Sequence, residues 1–309
     1  MTYIHWAPDN GEVHHYTDTG GLIGIIQGKK FWATNIQFMN DSLEYDFGLQ
    51  KVAKSLDDAL ERLRSNDSEE TPFTAELQAS VQTVIRMLRG AGSNPKDGQY
   101  VCCFSRHPDD LGQWRGYAKD GYCITFDEEL LTKSLASSQP DERAVRCGNV
   151  DYGGQAFGWT EAEYTDAVLK RMHEILHNPD SNLSDYGFSA DDPIFGEIVD
   201  QKDLSALAAI AGVAAVQGPI PFLKESCFAA EMEMRVCVSH PHGVKFRTSA
   251  IGPIPYAELA FDPNSIKAVT VGPGLNMNLR QATLEYLLAH EFGKDHEIEV
   301  QNTGLSFRG

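Results

Sequence analysis

Gly11-Glu-Val-His-His-Tyr-Thr17, Thr19-Gly-Gly-Leu-Ile-Gly-Ile-Ile-Gln27 and Lys29-Lys-Phe-Trp-Ala-Thr-Asn-Ile36 decide the fold, because together they read as strand, short helix, strand. Polar and aromatic groups gather where these elements end, so the stretch reads as one wall of a ligand cleft. His14 or His15, Tyr16 and Thr17 would supply hydrogen bonds, and Phe31 or Trp32 a stacking face, although the same residue types also make ordinary core contacts.

Working outward, Phe38-Met-Asn-Asp-Ser-Leu-Glu44 carries a helix-capping pattern ahead of an amphipathic run from Leu49 to Leu63, and a second helix is expected over Phe73 to Arg89. Gln99-Tyr-Val-Cys-Cys-Phe-Ser105 is a continuous run of strand length, which predicts a place inside a sheet. A short helix over Asp109 to Ala118 and a strand over Gly121 to Asp127 follow. Val150 to Gly153 reads as a short strand, Glu161 to His177 as a helix, and Asp180 to Pro193 as a mobile polar loop.

The apolar run Leu204 to Val216 is shorter than a bilayer crossing and reads as a buried helix. Glu231-Met-Glu-Met-Arg-Val-Cys-Val238 alternates strictly, which puts Glu231, Glu233 and Arg235 on one face of a half-buried strand. Ile266 to Val271, Asn278 to His290 and Glu297 to Val300 close the pattern as strand, helix and edge strand. No stretch has the composition of a linker. The expectation is therefore a single α+β domain over residues 1–309, with helical insertions at 49–98 and 155–220.

A net charge of −18 argues against a protein that lives by neutralising phosphates, and leaves nucleic-acid contact only to a local basic groove. Six cysteines without CxxC spacing read as reduced buried thiols, and no signal segment is apparent. A cytoplasmic protein without membrane contact is expected.

Two carboxylates on one strand face, Glu231 and Glu233, are candidates for acid–base or electrostatic work, against the plainer reading of a solvated charged face. Asn40, Asp41 and Glu44 are explained by capping but suit ligand contact too. Ser105 beside Arg106, and Gly272-Pro-Gly274 before a helix, are weak phosphate signals that lack a Walker lysine or GxGxxG spacing. His173-Glu-Ile-Leu-His177 matches HExxH, but Asn178-Pro179 stops the helix at once, and a third ligand would have to come from Asp185, Asp191 or Glu197. No metal site is expected; a zinc hydrolase is the outlying alternative.

His15-Tyr-Thr17, Phe31-Trp-Ala-Thr34 with Asn40-Asp-Ser-Leu-Glu44, Cys103-Phe-Ser105, Gln113-Trp-Arg-Gly-Tyr-Ala118 and Phe228-Ala-Ala-Glu-Met-Glu-Met-Arg235 together resemble an uncharacterised bacterial domain family of unknown function, over most of the chain. Their order is also similar to the ADP-ribosyltransferase fold. That resemblance implies a split β-sheet with NAD in the cleft, and an activity that modifies a macromolecule or small acceptor in the setting of a bacterial toxin or antiviral defence.

By the same resemblance, His15 and Thr17 would contact ribose, with Tyr16, Thr34, Asn40, Ser105 and Arg235 around the dinucleotide. Phe31 or Trp32 would stack on nicotinamide where the family's second-strand Tyr is replaced. Glu233 would stabilise the oxocarbenium-like state and Glu231 would orient the acceptor. A nucleotide-sensing module without turnover is the alternative on the same cleft.

Overall fold

A computed structural model describes residues 11–39, 44–65, 71–90, 98–138, 145–153, 161–178, 203–239, 241 and 243–305. The chain divides into two compact units, each assembled from separated stretches. Asp41–Asn94 and Asp151–Glu225, with Met1–Thr2, make one; Tyr3–Asn40, Pro95–Val150 and Ser226–Gly309 make the other. The sequence shows no linker because the chain enters the first unit twice.

The first unit is helical: α2 (Glu44–Ser65), α3 (Ala75–Gly90), α6 (Glu161–Leu176) and α7 (Leu204–Gln217). Buried residues recur at helical spacing, as at Leu49, Val52 and Leu56 or Leu77, Val81 and Val84, so each helix turns an apolar stripe inward. The helical stretch Leu204–Phe222 runs further than the apolar run alone suggested and is long and apolar enough to cross a membrane, but 56% of it is buried inside the protein. It is the core helix of this unit. Glu44 opens α2 with its carboxylate buried, 3.4 Å from Lys224 Nζ. Asn40 and the rest of the capping pattern before Glu44, and the expected loop Asp180 to Pro193, lie outside the described residues.

The second unit is an α+β arrangement around one open sheet of ten strands. These are β1 (Glu12–Thr17), β2 (Lys30–Asn35), β3 (Gln99–Ser105), β4 (Tyr122–Asp127), β5 (Val145–Asn149), β6 (Glu233–Ser239), β7 (Lys245–Ser249), β8 (Gly252–Ala260), β9 (Ile266–Val271) and β10 (Glu299–Asn302). The helices are α1 (Thr19–Gly28), a short α4 (Leu111–Gln113) running into a π-helical turn (Trp114–Ala118), α5 (Glu128–Ala136) and α8 (Met277–Phe292). Asp18 caps α1 and Asp127 caps α5, each accepting a backbone N–H from the first turn.

Four elements, β5, β7, β8 and α5, are not among those expected from the sequence. The expected strand at Val150 to Gly153 is only a bridge between Asp151 and Leu223. The last strand lies at the sheet edge but pairs in parallel with β9 two residues later than expected.

Position in this sheet is settled by β3. Its full length pairs with β6, so β1 and β2 must share its other edge: β1 at Ser105, β2 at Tyr100 and Val101. The sheet therefore forks along β3, with β1-β4-β9-β10 in one branch and β2-β8-β7 in the other. One face of the sheet is the apolar core, built on Val13, Phe31, Phe104, Ile124, Phe126 and Met234 and covered by leucines and isoleucines of α1, α5 and α8.

The turn after the π-helical segment is held by Gly121, whose N–H donates to Ala118 O at 2.8 Å and whose carbonyl accepts from Gly272 N at 2.9 Å. A Cβ there would lie 2.1 Å from the Thr17 carbonyl oxygen, a backbone atom that cannot swing aside. Gly121→Ala is expected to destabilise the protein by about 1–3 kcal/mol, measured by denaturant unfolding. An unchanged midpoint would mean that the two segments are not in close approach.

Candidate functional site

Register places the chemistry. Thr125, His14, Ser105 and Glu233 stand directly opposite one another on β4, β1, β3 and β6, so their side chains share the face away from the apolar core. All four are buried, which makes a polar row across four strands. His14 Nδ1 lies 3.0 Å from Thr125 Oγ1. Burial, and then the charges of Arg106 and His107, lower the His14 pKa to about 4. The imidazole is neutral at pH 7.

His15 points the other way. Its ring sits against Phe31 (5.2 Å between centroids) and Phe104 (5.5 Å), and Nδ1 donates to the Cys103 carbonyl at 2.9 Å. That carbonyl is at the gap in the fork, where neither β1 nor β2 pairs with β3, so the imidazole supplies the missing donor. His15 serves as a wedge in the fork, and alternation along β1 gives the face of the polar row to His14 rather than to His15. Thr17 shares the His15 face and is likewise removed from the row. Phe31 is 1% exposed inside the aromatic core and offers no stacking surface.

Tyr16 does lie on the polar face, but its hydroxyl is committed. It donates to His107 O at 2.8 Å, accepts from Asp110 N at 3.0 Å, and the ring packs edge-on against Trp114 at 4.9 Å. Trp114 Nε1 in turn donates to Asp109, which also accepts from Thr303 Oγ1 and Gly304 N. Tyr16 positions the π-helical turn.

Glu233 and Arg235 are not the solvated face that their alternation suggested. Arg235 is 1% exposed, and its Nε and Nη2 each donate to one Glu233 oxygen at 2.8 Å, a bidentate pair between neighbours on one strand. Cys103, opposite Arg235, sits against the carboxylate, and burial followed by that negative charge pushes its thiol well up. It is an inert thiol at neutral pH.

Glu231 leaves the strand altogether. Met232 has φ 42°, which breaks the alternation, so Glu231 ends a short 3₁₀ segment outside β6. Its backbone oxygen accepts Ser105 Oγ at 3.0 Å and its carboxylate lies 3.4 Å from Tyr117 Oη. Tyr117 is 44% exposed and Met232 47%, so this corner at the end of β3 is where the buried polar row reaches the surface.

Thr34 is on the same face, opposite Val101 and in line with Cys237, and accepts from Arg247 Nη2 at 3.1 Å. Trp32 is 49% exposed and lies against Tyr256, 4.7 Å between centroids. The structure thus brings Ser105, Glu231, Glu233 and Arg235 together, adds His14, Thr125, Cys103 and Tyr117, and sets His15, Thr17 and Phe31 apart. The sequence carried no signal that separates His14 from His15, because the choice rests on the pairing of β1 with Ser105. Tyr117 carried none beyond its helical spacing.

His173 and His177 stack at 4.0 Å, and His177 Nδ1 is 2.9 Å from the His173 carbonyl oxygen. Among the described residues no group of three or more His, Cys, Asp or Glu could hold a metal ion. Asp185, Asp191 and Glu197 lie outside the described residues.

Fold and site together define an α+β protein whose forked sheet carries a buried polar row ending at an accessible carboxylate. Residues 113–236 match a family model described as protein of unknown function (DUF2971). The match includes Gln113 to Ala118 and Phe228 to Arg235 but not the motifs before residue 113, so it is narrower than the resemblance read from the sequence. No curated protein and no solved structure matches the chain.

Proposed function

We propose that this protein is an NAD-dependent group-transfer enzyme of the ADP-ribosyltransferase type, acting at the corner formed by Ser105, Tyr117 and Glu231. The observation that carries the reading is the division of labour between two carboxylates at one end of a forked sheet. Glu233 is neutralised by Arg235, and Glu231 remains accessible beside a tyrosine hydroxyl. The fork along β3 supports the split-sheet form of that fold.

In this reading the bond between nicotinamide and ribose C1′ breaks, nicotinamide leaves with the electron pair, and the acceptor nucleophile bonds to C1′ and gives up its proton to solvent. Glu231 faces the positive charge that develops on the ribose, and Tyr117 orients its carboxylate. Glu233 and Arg235 hold the strand end that presents them. The reassignment from Glu233 to Glu231 follows from burial: an oxygen already taken by a guanidinium is a poor partner for a transient cation.

The test is nicotinamide release from NAD. Glu231→Gln is expected to lower it about a hundredfold, while the thermal midpoint hardly moves, since the site is at the surface. Undiminished turnover in that variant would sink the role of Glu231. A second reading is favoured by the full engagement of Glu233: a nucleotide-sensing module. NAD raising the midpoint without any nicotinamide release selects it.

A further inference from the structure

A second surface on the same sheet is built for a different ligand. On the branch β2-β8-β7, register puts Lys30, Trp32, Thr34, Tyr256, Glu258, Lys245 and Arg247 on one face. Trp32 leans on Tyr256, so the tyrosine, 7% exposed, backs an indole that is 49% exposed. Lys30 and Lys245 both reach Glu258 Oε2, at 2.8 and 2.9 Å. Arg247 donates to the Thr34 hydroxyl and meets no carboxylate among the described residues. Three cations against one carboxylate leave a local excess of positive charge beside a supported aromatic face, in a chain whose net charge is −18.

We infer that this face binds single-stranded nucleic acid, an unpaired base stacking on Trp32 while its flanking phosphates meet Lys30, Lys245 and Arg247. Charge decides the occupant. A neutral apolar partner would leave Arg247 and the lysines to be desolvated, whereas a phosphodiester strand supplies both the ring and the anions that this face lacks. Fully exposed β7 lies at the sheet edge, so a strand has open access along it. The acidic remainder of the protein does not forbid docking, because at physiological ionic strength charges beyond about 8 Å are largely screened. It slows encounter, and makes the complex weak and sensitive to salt.

The experiment is fluorescence anisotropy of a labelled oligothymidylate of about 20 nucleotides at low salt, with no NAD present. Binding is expected to quench tryptophan emission and to weaken as salt rises, with a log–log slope near −2 for about three phosphates. Trp32→Ala is expected to weaken it roughly tenfold or more, and Arg247→Ala to make the slope shallower by about 0.7. Both side chains reach the surface, and an unchanged thermal midpoint for each variant confirms that folding is intact. Absence of binding at low salt, equal affinity for duplex, or full affinity in Trp32→Ala would overturn the inference. Because nothing in this assay depends on NAD turnover, its outcome is separate from that of the transfer reaction.

Discussion

Glu233→Gln is expected to cost about 3–5 kcal/mol of folding stability, the range for leaving one member of a buried ion pair unpaired. The guanidinium of Arg235 is 1% exposed and gives two of its N–H groups to that carboxylate, so removing the charge takes from a buried cation the anion that it chelates. The reverse change, Arg235→Met, strands the carboxylate and should cost a similar amount. Converting both at once, Glu233→Leu with Arg235→Met, removes the stranded charge along with its partner and should recover most of the loss. Urea unfolding of the three variants measures the coupling; additive losses in the double variant would show that the pair acts as two independent residues. Loss of activity in Glu233→Gln therefore says nothing about chemistry until folding has been checked.

Stability is expected to fall as pH drops from about 6.5 towards 4, with His14 contributing about 3 kcal/mol of that change. The sign follows from proton uptake. In the unfolded chain His14 titrates at its ordinary value of 6.5, and in the folded protein at about 4. Between those values the unfolded state holds the extra proton, so acid favours unfolding. His15 acts in the same direction, because burial lowers its pKa as well. Carboxylates add their own losses below pH 5, so the measurement is a difference: unfolding free energy against pH for the wild type and for His14→Gln, which keeps a hydrogen-bonding group for Thr125. A variant whose pH profile matches the wild type would show that His14 is not buried neutral.

Most strands were legible because their apolar content was. Tyr122 to Phe126 and Ile266 to Val271 advertise themselves by β-branched and aromatic runs, and β3 by the unbroken apolar run Tyr100 to Phe104. The face on which a residue lies was not legible, since it depends on register between strands far apart in sequence. His14 and His15 are equivalent on paper, and only the pairing of His14 with Ser105, more than ninety positions away, separates them. Glu231 and Glu233 look like one motif because the residue types alternate straight through Met232; a single positive φ divides them. Burial of Arg235 was hidden for a related reason. A salt bridge between next-but-one residues on a strand looks the same in sequence whether the face is wet or covered. β7 escaped notice because an edge strand exposed at every position has no apolar period to read.

Asp109 accepts from Trp114 Nε1, Thr303 Oγ1 and Gly304 N at once. This has a temporal meaning. A chain emerging from the ribosome makes β1, β3 and the turn bearing Trp114 and Tyr117 early, but the clasp that fixes Trp114 closes only when Thr303 and Gly304 have been synthesised. Until then the corner that carries Glu231 and Tyr117 relies on Tyr16, the Gly121 turn and the Ser105 hydrogen bond to the Glu231 carbonyl, without this clasp. Proteolytic trimming behind residue 302 would return a finished molecule to that half-built condition.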